Sequence, residues 1–175
     1  MATIPNFDPF KQEDTEEFLL TLFNKIIDEL KEDANPLKEE LEMILEIEYY
    51  QEGSDEKEGD TLIERNIFLP LQIRDSTNLF DSCQQYFKDE TVNDYEVQST
   101  QKKVKAIRKQ KVAKWPNYLI IQLTRYYFNE ETKTQTKLYH EFGFPMEFST
   151  GMLESISTDE IKDHPIDYEL SAILV

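Results

Sequence analysis

The sequence holds a single cysteine, Cys83, in 175 residues. A lone thiol excludes an internal disulfide and any zinc knuckle built from Cys pairs. It fits a reducing setting, cytoplasmic or nuclear. Histidine is almost as scarce, with His140 and His164 alone. Two imidazoles cannot complete a tetrahedral site, so no metal and no cofactor is expected. No apolar run reaches the length of a membrane span, and no charged stretch followed by an apolar one opens the chain, so neither a membrane nor a secretory signal is expected. Excess positive charge is lacking too. The formal net charge is −17, which repels nucleic acid and favours basic protein surfaces as partners.

What is present is a folding composition. Hydrophobic residues make up 39% and aromatics 12%, and the length allows one domain with a sizeable core. The charge is uneven. The stretch from Asp28 to Asp60 is strongly acidic, whereas Lys102 to Lys114 holds seven Lys or Arg and no acid. Both blocks read first as solvated surface.

Gln12 to Lys31 carries an apolar stripe at helical spacing: Phe18, Leu19, Leu22, Phe23, Ile26, Ile27 and Leu30. This predicts an amphipathic helix. Asp14 fits its N-cap and Glu17 the third helical position, as in a capping box, and Asn35-Pro36 marks its end. Leu41 to Tyr50 alternates apolar residues with Glu42, Glu46 and Glu48, a two-faced strand. A polar loop, Gly53 to Gly59, joins it to a run from Thr61 to Ile73 with Ile67, Leu69, Leu71 and Ile73 on one face. A long antiparallel hairpin is the simplest reading. Asn78 to Lys88 reads as a short helix with Leu79, Cys83, Tyr86 and Phe87 on one side, which makes Cys83 a core thiol and not a nucleophile. His140 and His164 read as surface residues. Lys103 to Ala113 reads as a solvated strand, and Thr150 to Asp163 as a loop before a closing strand from Tyr168.

The densest stretch is Tyr118 to Phe128, rich in β-branched and aromatic residues, with Leu119, Ile121 and Leu123 on one face and Ile120, Gln122 and Thr124 on the other. It predicts a long central strand. Pro116 marks its entry, and Asn129 to Thr132 a turn before a polar returning strand that ends on Phe142-Gly-Phe-Pro145. Several motifs here, in this order, resemble the ubiquitin-specific proteases, papain-like cysteine deubiquitinases. Gln12-Glu-Asp-Thr-Glu-Glu-Phe-Leu19 is similar to the family's Gln-Gln-Asp-Ala-x-Glu-Phe-Leu box. Ile67-Phe-Leu-Pro-Leu-Gln-Ile73 resembles a Phe-x-x-Leu-x-Leu-x-Ile strand. Trp115-Pro116, Leu119, Leu123-Thr-Arg-Tyr126 and Phe144-Pro145 resemble its Leu-Lys-Arg-Phe strand and Phe-Pro. Tyr168 to Val175 resembles its Tyr-x-Leu-x-Ala-Val strand.

The resemblance implies an α+β, papain-like ubiquitin-specific protease fold in partial form: thumb helix, antiparallel finger strands and palm sheet. Residues 1–36 would form the thumb helix, 37–114 the fingers with a short helix at 78–88, and 115–175 the palm. It implies ubiquitin and ubiquitinated proteins as partners, with Asp14 and Glu17 contacting ubiquitin's basic tail, a role compatible with capping. The family's two Cys-x-x-Cys finger knuckles have no counterpart; Val97 and Thr100 stand at the second pair's places. Its Gly-Asn-Thr-Cys nucleophile box lies upstream of the Gln-x-Asp box and its Gly-His-Tyr box after the last matched strand, so no catalytic residue is expected in this chain. Two functional readings follow: part of a deubiquitinase, silent alone, or a non-catalytic ubiquitin-binding or scaffold module. A generic acidic α+β domain is the third.

Overall fold

A computed structural model of the chain describes residues 15–30, 36–53, 57–97 and 100–174. Helix α1 runs Thr15–Leu30, where the apolar stripe calls for it. The helix begins within the expected span. A short second helix, α2, follows at Pro36–Leu41, which sequence reading did not anticipate. Pro36 opens it, at the first helical position where proline's missing N–H costs nothing.

Four strands form the larger sheet: β1 (Met43–Gln51), β2 (Lys57–Asn66), β4 (Glu90–Val97) and β5 (Lys102–Lys114), in the order β2-β1-β5-β4. Every pairing in it is antiparallel. The expected β1–β2 hairpin is present. Met43, Leu45 and Ile47 are buried, with Ile44, Glu46 and Glu48 alternating half-exposed. The expected long second arm, however, is broken. Ile67 lies at a bend, and the chain turns away into β3 (Phe68–Gln72). Strand β3 leaves the sheet to pair in parallel with β6 (Ile120–Thr124), from Phe68 opposite Ile120 to Gln72 opposite Thr124.

Strand β5 corrects a second expectation. It is an interior strand between β1 and β4, with Ala106, Gln110 and Val112 buried. Its lysines face β1's acids: Glu46 stands opposite Lys111, Lys105 pairs with Glu52 at 2.6 Å, and Lys109 lies 4.6 Å from the Tyr50 ring centroid. Its basic side chains otherwise stay largely on the surface, with Lys102, Lys103, Lys105 and Lys111 exposed.

The core lies where these pieces meet. Helix α3 (Leu79–Tyr86) starts at Asn78, whose side-chain oxygen accepts from the Asp81 N–H at 3.0 Å, a standard N-cap. Its Leu79 and Cys83, with Phe87 just beyond, pack with Leu69 and Leu71 of β3, Met43 and Leu45 of β1 and Val112 of β5. Trp115 and Pro116 are buried between β5 and β6. The Trp115 Nε1–H donates to Ser157 Oγ at 3.4 Å, and the Tyr168 hydroxyl donates to the Pro116 carbonyl.

The expected long strand 118–128 is also interrupted. It breaks at Arg125 into β6 and β7 (Tyr126–Asn129), and β7 hairpins onto β8 (Thr134–Lys137) through the anticipated turn. The Asn129 side chain accepts from the Glu131 and Thr132 N–H groups, which fixes that turn. The expected loop after residue 149 contains a 3-10 helix, Thr150–Ile156. The closing strand is shorter than expected: β10 (Asp167–Glu169) pairs with β9 (Glu147–Ser149), and 170–174 carry no regular structure.

Candidate functional site

Of the two carboxylates singled out in the sequence, Asp14 lies outside the described residues. Glu17 sits in the first turn of α1 and is exposed. An exposed carboxylate there is favoured by the helix's positive end.

Cys83 is fully buried in α3 among core side chains. Burial pushes its thiol up to about 12, the opposite of what a nucleophile requires. His164 is exposed, as expected. His140 is half-buried, not a plain surface residue: its Nε2 lies 3.2 Å from the Ser76 carbonyl, and its own carbonyl accepts from Arg125 Nη1 at 3.3 Å. That imidazole acts as a strut between the β8 exit and the loop before α3. It is not paired with a thiol. Val97 is buried and Thr100 exposed, and among the described residues no group of three or more His, Cys, Asp or Glu is arranged to hold a metal. Among those residues, too, no helix is long and apolar enough to cross a membrane.

A surface that sequence reading missed lies beside β6. In the β7–β8 hairpin, Tyr127 points inward, where the Arg74 guanidinium lies 4.3 Å from its ring centroid. Tyr126 and Phe128 therefore point outward and stand about half exposed. Lys137, opposite Tyr126, reaches to 5.5 Å from that ring and 5.9 Å from the ring of Tyr139, which is 85% exposed. Phe144 and Met146, later in the chain, are exposed as well. Exposed aromatic side chains of this kind are enriched at protein-recognition surfaces. The signal was available in the sequence as the alternation of β7, but which face turns outward depends on Arg74, far away in sequence.

The sequence matches the family described as ubiquitin carboxyl-terminal hydrolase over residues 2–175. Ubiquitin carboxyl-terminal hydrolase 9Y of Homo sapiens is 35% identical over 86 residues, 47% of this chain and 3% of that protein. Ubiquitin carboxyl-terminal hydrolase 26 of Oryza sativa subsp. japonica is 32% identical over 123 residues, 69% of this chain and 11% of that protein. The chain thus spans a small part of these relatives. Among solved structures, the SAGA Ubp8/Sgf11/Sus1/Sgf73 DUB module bound to ubiquitin aldehyde has a chain that superposes with a TM-score of 0.70 at 20% identity, covering 85% of this chain and 34% of that one. A variant of that module bound to monoubiquitin gives 0.73 at 21% identity, covering 91% of this chain and 36% of that one. These likenesses establish the fold: a partial ubiquitin-specific protease architecture, α+β.

Proposed function

Because this chain belongs to the ubiquitin carboxyl-terminal hydrolase family, we propose that it is a ubiquitin-holding portion of a deubiquitinase catalytic domain. In this reading residues 1–36 belong to the thumb, whose described part is the helix Thr15–Leu30, 37–114 to the fingers with a short helix at 78–88, and 115–175 to the palm. The partners are ubiquitin and ubiquitinated proteins. Nucleic acid and membranes are not ligands, a reading supported by the acidic balance. A reducing cytoplasmic or nuclear setting suits its lone thiol.

The observation that carries the division of labour is Cys83. The reaction of a cysteine deubiquitinase needs a thiolate to attack the carbonyl after ubiquitin's last glycine, and an imidazole to take and return the proton. The sequence's one cysteine is buried, with its thiol pushed up to about 12, and His140 is engaged with the Ser76 carbonyl. In this reading the chain holds ubiquitin and does not itself cleave, which the buried Cys83 supports. Incubation with a fluorogenic ubiquitin substrate should give no turnover. Turnover abolished by Cys83→Ala would make Cys83 the nucleophile and overturn this reading.

Glu17 and Asp14 supply the charge that meets ubiquitin's basic tail. Asn caps a helix about as well as Asp, whereas a charge-assisted hydrogen bond is about twice as strong as a neutral one. Asp14→Asn and Glu17→Gln should therefore weaken ubiquitin binding while leaving thermal unfolding nearly unchanged. Unchanged affinity in both variants would reduce the two residues to caps. The second reading, a non-catalytic ubiquitin-binding or scaffold module, shares the buried Cys83 as its support. It is favoured if a longer form of the protein that binds ubiquitin also fails to cleave it.

A further inference from the structure

The far end of the four-stranded sheet carries a contact that joins all four strands. Tyr95 of β4 stacks on Tyr49 of β1, with ring centroids 4.2 Å apart and planes 16° from parallel. The two strands are not neighbours, since β5 runs between them. The rings meet above β5 at Ala106, the small residue between Val104, opposite Tyr95, and Arg108, opposite Tyr49; it is fully buried. A larger side chain at 106 would hold the rings apart. The Tyr95 hydroxyl then passes beyond β1 and donates to the Glu58 carbonyl of β2 at 3.4 Å.

Two register shifts make this reach possible. In β4 the pairing with β5 jumps from Val92 opposite Ala106 to Tyr95 opposite Val104, one residue more on β4 than on β5. Without that bulge Asp94 would occupy the inward place and Tyr95 the other face. In β2 the pairing jumps from Leu62 opposite Ile47 to Glu58 opposite Tyr49. Gly59 lies in that irregular stretch with φ +74°, and a Cβ there would come 3.6 Å from the Tyr95 hydroxyl. Bulges on both outer strands thus deliver one phenol to one carbonyl.

The same sheet face continues toward the core. Arg108, opposite Tyr49, donates from Nη1 to Gln110 Oε1 at 2.9 Å, and Gln110, nearly buried, donates from Nε2 to the Tyr86 carbonyl at the end of α3 at 2.5 Å. A buried amide needs both its donor and its acceptor satisfied, and this one is satisfied only while sheet and helix keep their relative placement.

We propose that Tyr95 is a positioning residue: with Tyr49 it straps the tip of the four-stranded sheet into one rigid unit, which Arg108 and Gln110 brace against α3, so that the tip is presented to ubiquitin preformed. The part of this that concerns ubiquitin rests on the function proposed above. The strap acts on β2 and β4, whose outer edges have no partner strand among the described residues. Without it they open independently of the core.

Amide hydrogen exchange on the full 175-residue chain tests this. Tyr95→Ala should speed exchange at residues 57–62 and 90–97 by roughly tenfold, the loss of one aromatic pair, while β3 and β6 keep wild-type protection. Tyr95→Phe, which keeps the ring and drops the hydroxyl, should have an effect confined to 57–60. Unchanged exchange in Tyr95→Ala, or an equal increase throughout the chain, would overturn the strap. Ubiquitin affinity is measured on the same proteins. A several-fold loss in Tyr95→Ala, with β3 protection intact, supports the positioning role. Faster tip exchange with unchanged affinity overturns that role. Failure of the wild-type chain to bind ubiquitin at all sinks the proposed function and the positioning role with it, and leaves the exchange data to decide the strap alone.

Discussion

The four-stranded sheet and the β3–β6–α3 region are held together by different physics. The sheet is assembled from two hairpins; one end of it joins the core through Met43, Leu45 and Val112, but toward the other end its contacts are half-exposed and individually small. Glu48 shows the pattern: it accepts from Tyr50 Oη at 2.7 Å and Thr61 Oγ1 at 3.0 Å and pairs with Lys57 at 2.9 Å. The β3–β6–α3 region is a short parallel pair between segments far apart in sequence, half-buried in β6 and packed against a capped helix. Parallel strands cannot be joined by a tight turn, and their pairing is slightly weaker per residue. What holds β3 to β6 is therefore the apolar packing around Leu69, Leu71 and Cys83. The difference teaches where each region is vulnerable. Damage to the sheet should be local and graded, and damage to the core should be global.

The sharpest way to test that contrast is Leu71→Ala. Leu71 is fully buried on β3, and truncating it leaves a cavity worth about 2–5 kcal/mol. Chemical denaturation should show one cooperative transition at lower denaturant, with sheet and core lost together. Separate transitions for the two regions would break the comparison. Cys83→Ala is the milder core change. It removes one buried sulfur and should cost about 1–2 kcal/mol. The native thiol should resist a water-soluble alkylating reagent at pH 8 until the protein unfolds. Rapid labelling of the folded chain would contradict its burial and its raised thiol.

The smallest expected effect belongs to the sheet. The Lys57 ammonium, the first cause, and the Tyr50 hydroxyl hold the Glu48 carboxyl at about 2 against an ordinary 4.5, with burial opposing them. A carboxylate depressed in the folded state contributes stability that is fully present above its unfolded value. That stability is lost as pH falls from about 4.5 toward 2. Both partners are about one-third exposed, so solvent screening limits the pair, and Glu48→Gln should cost only about 0.5–1 kcal/mol at pH 7. Thermal unfolding of wild type and variant should converge as pH drops through that window. A difference that persists undiminished at pH 2 would assign the effect to packing and not to charge.

Several elements of this protein were legible because they depend on near neighbours in sequence. The stripe of α1, the alternation of β1, the Asn129 turn and the helix after Asn78 each express contacts two to four residues apart. The exposure of Glu17 follows from its place on the polar side of that stripe, and the core role of Cys83 from its spacing with Leu79 and Phe87. What the tertiary structure decided involves partners distant in sequence. The apolar run through Ile67 reads as one strand; the pull of β3 toward β6 breaks it. The basic stretch 102–114 reads as solvated surface, and Lys102, Lys103, Lys105 and Lys111 are exposed; what its sequence does not tell is that the strand lies between β1 and β4, with Ala106 and Val112 buried and Gln110 held against the Tyr86 carbonyl. The Tyr49–Tyr95 contact is the extreme case. Alternation along β4 alone does not say which residue faces inward, because a bulge shifts the register, and a bulge is chosen by the strand beside it and not by the residues that form it.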